Sequence, residues 1–165
     1  MHSALGDSTY MKLLLQHEAA VAQFYGLLGG KFPRRQKFWQ ELAAAEEVHM
    51  TWLREMAESL AAGRLHLGEG RVSLQDIRES LNFVATIIAH AETDPSMSEH
   101  DGFQTACRVE NTMIEKGFFL AMEGDSPEIQ ERLAWILAQT EEHRDLLSRS
   151  CQRPGRWSWL TQWFK

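Results

Sequence analysis

Ala45-Glu46-Glu47-Val48-His49 lies midway along a helical pattern that runs from about Phe38 to Ala62. Trp39, Leu42, Leu53, Met56 and Leu60 form the apolar stripe of that segment, and positions 46 and 49 fall inside it. Residues three apart on a helix share a face. A carboxylate and an imidazole are therefore sent into a helix-bundle interior, where a charge is costly unless it is paired or bound to metal. The rest of the chain must supply the partners.

On the N-terminal side, a helix from Thr9 to Leu28, capped by Asp7 or Ser8, carries the stripe Met11, Leu14, Val21, Tyr25 and Leu28. Glu18 belongs to the same stripe. Gly29, Gly30 and Pro33 end this helix and begin the next, which stops near Gly63 before a linker rich in Gly and Arg. Ser73 with Asp76 resembles a capping box. It opens a helix to Ala91 whose stripe of Leu74, Ile77, Leu81, Val84 and Ile88 holds no acidic residue, as expected of a packing helix in a crossover. Thr93 to Gly102 reads as a loop. A helix from Phe103 to Glu123 then encloses Glu110 among Phe103, Ala106, Met113, Gly117 and Leu120. Gly124 to Pro127 stop it and start the last helix, to Ser150, with Leu133, Ile136, Leu137 and Leu147 inward. Thr140 and His143 sit inside that stripe, spaced like Glu46 and His49.

The two halves repeat. Pro33 matches Pro127, and without a gap Glu46 falls on Thr140, Glu47 on Glu141 and His49 on His143. The ungapped register would place Glu18 on Thr112, which lies on a polar helix face. A two-residue insertion before Pro127 brings Glu110 onto Glu18 and keeps the inward stripe.

Composition sets the remaining bounds. With 165 residues the chain is expected to form one helical domain over 1–152, followed by a tryptophan-rich tail over 153–165. A net charge of −6 with no long basic block argues against nucleic acid. Cys107 and Cys151 lack a metal-knuckle spacing, and no apolar run approaches the ~20 residues that span a bilayer. A soluble cytoplasmic protein is the expectation. Leu, Ala, Glu and Met outweigh β-type alternation, so the fold class is all-α.

One Glu from each of two helices, with Glu-x-x-His from each of two others, is the arrangement of a dinuclear carboxylate site in a four-helix bundle. On Glu18 with Phe24-Tyr25 beyond it, and on Ala45 to His49, the chain over residues 8–150 resembles the ferritin-like superfamily, closest to its rubrerythrin-like members. The resemblance implies a ferritin-like four-helix bundle with a long crossover carrying an additional helix. It implies Glu18, Glu46, His49, Glu110 and His143 as ligands to one or two iron ions, with manganese or zinc as alternatives. Tyr25 would be a hydrogen-bond donor behind the ligands. It further implies oxidoreductase, ferroxidase or peroxide-handling chemistry fed by an external electron donor, and a homodimer.

The sequence departs from that pattern at Thr140, which stands where a fourth Glu belongs and cannot bridge as an anion. Glu141 is rotated about 100° around the helix and would serve only through a local distortion such as a π-bulge. One ion, or an asymmetric pair, fits this donor set as well as two. Without metal, the same groups would form a buried hydrogen-bonded network on a non-enzymatic scaffold acting through its tail. If that tail is helical, Trp157, Leu160 and Phe164 share one face, with Trp163 close by. Packing on the chain's own bundle or at a dimer interface is the leading expectation for it. A membrane surface or a partner is the alternative.

Overall fold

A computed structural model of the chain describes residues 4–68, 73–117, 122–124 and 126–152. His2, Leu120, the side chains of Met113 and Cys151, and the whole 153–165 tail lie outside the described residues. The described chain is mostly helical. Its elements are α1 (Ala4–Lys31), α2 (Gln36–Ala61), β1 (Leu65–Leu67), α3 (Leu74–Thr93), α4 (Glu99–Lys116), β2 (Met122–Gly124) and α5 (Pro127–Gln152).

Two helical hairpins and one packing helix make the architecture. α1 packs along α2, α4 packs along α5, and α3 lies along a second side of α1. The seams between hairpins, α1 with α4 and α2 with α5, are much sparser. Most positions of the expected stripes bury, Leu60, Leu74, Leu81 and Leu137 being only half-buried: Met11, Leu14, Val21, Tyr25 and Leu28 from α1, and Trp39, Leu42, Leu53 and Met56 from α2. Ile77, Val84 and Ile88 come from α3, Phe103 and Ala106 from α4, and Leu133, Ile136 and Leu147 from α5. Stacked and edge-on contacts among Tyr25, Phe38, Trp39 and Phe103 close one end of this core. No helix among the described residues is long and apolar enough to cross a membrane.

Helix ends differ from expectation in ways that local chemistry explains. α1 runs from Ala4 through Gly29 and Gly30 to Lys31, so neither Asp7 nor Ser8 is a cap and the glycines do not stop the helix. Gly29 serves close packing instead: a Cβ there would sit 3.4 Å from the Trp39 Cβ at the entry to α2. Lys31 reaches across to cap α3, its Nζ donating to the Ala91 and Asp94 carbonyls at 2.9 and 2.5 Å. Pro33–Arg35 form a single 3-10 turn before α2.

The capping box at Ser73 and Asp76 is present, each partner taking the other's backbone N–H. A second such box, at Ser98 and Asp101, starts α4 four residues earlier than expected. α4 also stops earlier, at Lys116 rather than Glu123. Gly117 has a φ of 64°, a left-handed conformation that glycine adopts without strain and that terminates a helix. The chain then returns to pair β2 antiparallel to β1, with Leu65 opposite Gly124 and Leu67 opposite Met122. Part of the expected 63–72 linker is therefore a short ribbon, anchored by the fully buried Leu65.

Candidate metal centre

Four helices deliver five ionisable side chains to one interior. Glu18 comes from α1, Glu46 and His49 from α2, Glu110 from α4 and His143 from α5, none more than 4% exposed. Each falls on an apolar stripe because the spacings 14–18–21, 42–46–49–53, 106–110 and 136–140–143–147 keep to one helix face.

Glu46 is the centre of this cluster. The Nδ1 of His49 donates to Glu46 Oε2 at 2.8 Å and to Glu18 Oε2 at 3.1 Å. The Nδ1 of His143 lies 3.1 Å from the other Glu46 oxygen and 3.6 Å from Glu110 Oε1. The imidazole rings stack at 5.6 Å between centroids. Tyr25 donates its hydroxyl to Glu110 Oε1 at 2.5 Å, so the expected hydrogen bond from this residue is made, to the α4 carboxylate.

Burial and pairing compete over every proton here. Burial pushes the Glu46 carboxyl up, but the His49 and His143 imidazoles outweigh it and hold Glu46 well below the usual carboxylate range. Burial disfavours charge on His49, yet Glu46 and Glu18 raise it to about 10. His143 is likewise raised to about 10 by Glu110 and Glu46 against its burial. Glu110 is raised, by burial and then by the like charge of Glu46, although His143 and Tyr25 pull the other way. Tyr25 is raised well above its ordinary value, first by burial and then by Glu110 and Glu46. The neighbouring carboxyl groups thus favour the charged form of both His49 and His143.

The donor set fits divalent transition metals. Glu18, Glu46 and His49 form one group whose ligand atoms lie within 4.8 Å of one another, and Glu46, Glu110 and His143 form a second. Carboxylate oxygen with imidazole nitrogen suits iron, manganese and zinc. Glu46 Oε1 and His143 Nδ1 face each other at 3.1 Å, which leaves Glu18 Oε1 and His49 Nε2 as buried atoms of the cluster without a hydrogen bond. Native interiors rarely leave such atoms unsatisfied.

Thr140 is buried in the cluster, but its hydroxyl donates to the Ile136 carbonyl at 3.0 Å, within its own helix. With threonine there, Glu46 belongs to both candidate groups and each has two carboxylates and an imidazole. Glu141, considered as a substitute, is exposed on an α-helical α5 and takes no part. Thr112, the rejected match for Glu18, is half-buried and bonds back to the Arg108 carbonyl. The insertion that pairs Glu110 with Glu18 is the register that puts a carboxylate inside.

Two features escaped the sequence. His17, fully buried beside Glu18, faces α3 and makes a 2.8 Å hydrogen bond with the buried Ser80. The signal was there: Tyr10, Leu13, His17 and Phe24 form a second buried line on α1, which packs against two neighbours rather than one. Trp135 on α5 stands edge-on to His49 at 6.0 Å and packs on Trp52 at 3.9 Å. Exposed and single in the sequence, it carried no pattern.

Fold and site together define a helical protein with a carboxylate–imidazole cluster shared among four helices. The chain matches no family model, no curated protein and no solved structure at a significant level.

The raised imidazoles give the metal-free protein a definite pH response. Groups raised from 6.5 to about 10 stabilise the fold fully below pH ~6.5, and that stability is lost as pH climbs through 10. The depressed Glu46 contributes above pH ~4.5 and is lost on acidification. Urea unfolding of the metal-free protein should therefore weaken steadily between pH 6.5 and 10. Protein with metal on both imidazoles should show no such decline, because those nitrogens are already deprotonated.

Proposed function

We propose that this chain is a transition-metal protein of ferritin-like, rubrerythrin-related type, in which Glu18, Glu46, His49, Glu110 and His143 hold two ions with Glu46 shared between them. The observation that carries the proposal is the convergence of two carboxylate–imidazole groups on one carboxylate in a buried interior. Iron and manganese are the preferred ions, since three carboxylates and two imidazoles make a mainly hard, partly nitrogenous donor set. Such a pair would supply redox chemistry toward dioxygen or peroxide. Glu18 with His49 and Glu110 with His143 would each hold one ion, while Tyr25 orients Glu110 through its hydrogen bond. The surrounding core of Val21, Trp39, Leu53 and Ile136 keeps water out.

A second reading rests on Thr140. Three carboxylates and two imidazolium ions already pair with one another, so the cluster could persist as a metal-free network in a scaffold that works through surface contacts.

Elemental analysis separates the two. Protein expressed with iron or manganese should purify with about two ions per chain, and His49→Ala should lose at least one. Background metal in both proteins would establish the metal-free reading.

A further inference from the structure

We propose that Trp135 and Trp52 form the path by which electrons pass between solvent and the metal held at His49. The inference rests on the metal reading above and adds to it the point of electron entry.

Among the described residues, Tyr25, which bonds Glu110, stacks on Trp39, and both rings are entirely buried. On the α2–α5 seam, where the helices meet sparsely, the situation differs. Trp135 is 38% exposed, with its ring 6.0 Å from the His49 ring and perpendicular to it. Trp52, one turn beyond His49 on α2, packs on Trp135 at 3.9 Å, and the exposed Val48 flanks it on the same helix. Indole is among the most readily oxidised side chains, and tunnelling weakens exponentially with distance. Trp135 is both partly exposed and one ring away from His49, and with Trp52 packed against it the pair makes a short conductive step where an aliphatic wall would insulate.

The step balances simply. A one-electron reductant outside the protein would give up one electron to a ferric ion held at His49, with no covalent bond formed or broken. The indoles would couple donor and acceptor by tunnelling, themselves neither oxidised nor reduced.

The test uses the full chain loaded with ferric iron, and a reductant too bulky to enter the bundle, the methyl viologen radical cation. Stopped-flow absorbance follows iron reduction in wild type, Trp135→Phe and Trp52→Phe, each checked for metal content and helicity. Phenylalanine keeps an aromatic ring of similar shape but resists oxidation. Trp135→Phe should slow reduction by about tenfold, a barrier increase of ~1.4 kcal/mol, and Trp52→Phe should slow it less. Tryptophan emission gives a second readout. A short-lived component should appear with ferric iron, be absent with zinc, and disappear in Trp135→Phe. Unchanged rate and emission in a fully loaded Trp135→Phe would overturn this inference alone. A wild type that binds no iron would overturn the metal reading and this inference with it. If Trp135→Phe fails to load, Trp52→Phe decides: a smaller but measurable slowing is expected, and an unchanged rate would overturn the inference.

Discussion

Glu46→Ala is expected to empty both metal positions at once, whereas Glu18→Ala or Glu110→Ala should empty one. Among the described residues, Glu46 alone belongs to both candidate ligand groups, its two oxygens facing different imidazoles. The substitution should also harm the metal-free fold, since it strips two buried imidazolium ions of their principal counter-charge. Removing one partner of a buried ion pair costs ~3–5 kcal/mol. For a chain of this size each kcal/mol lowers the thermal midpoint by ~2–4 °C, so the midpoint should fall by roughly 6–20 °C. Glu46→Gln, which keeps the volume and one acceptor oxygen, guards against outright unfolding and should still bind neither ion. Metal stoichiometry with calorimetry on the four variants checks both effects. Equal metal loss in Glu46→Ala and Glu18→Ala would show that Glu46 is not shared.

Thr140→Glu should reverse sign between metal-free and metal-loaded protein. In the metal-free cluster a fourth carboxylate beside Glu46 and Glu110 adds like charge in a buried site, which costs several kcal/mol. With two divalent ions bound, three carboxylates leave one positive charge over, and the fourth neutralises it. Affinity for the second ion should rise by about tenfold or more, ~1.4 kcal/mol for each factor of ten. The stability of the loaded protein should rise with it, by mass action. Isothermal titration and melting curves with and without iron would show the crossing. A variant less stable in both states would mean that position 140 does not face the ions.

How far the sequence alone could go depends on which kind of order each feature obeys. Glu46 and His49 were legible because a helix repeats every 3.6 residues and both sit in phase with Trp39, Leu42, Leu53 and Met56. Glu110 and His143 followed from the same rule together with the internal repeat. The significance of Thr140 was not legible. Periodicity fixes faces and not distances, so it could not show that both oxygens of Glu46 reach different histidines. The β1–β2 ribbon was hidden for a related reason. Each strand is three residues long and gains its pairing from a segment more than fifty positions away. The early end of α4 was masked because Gly117 also fits the apolar spacing, although its backbone turns left-handed. His17 and Ser80 were missed because α1 was given one buried face when it has two.

The proposed shared site is tested directly by anomalous diffraction from crystals grown with iron: two peaks should flank Glu46, one against Glu18 and His49 and the other against Glu110 and His143. No peak in the bundle, or a single peak away from Glu46, would contradict it.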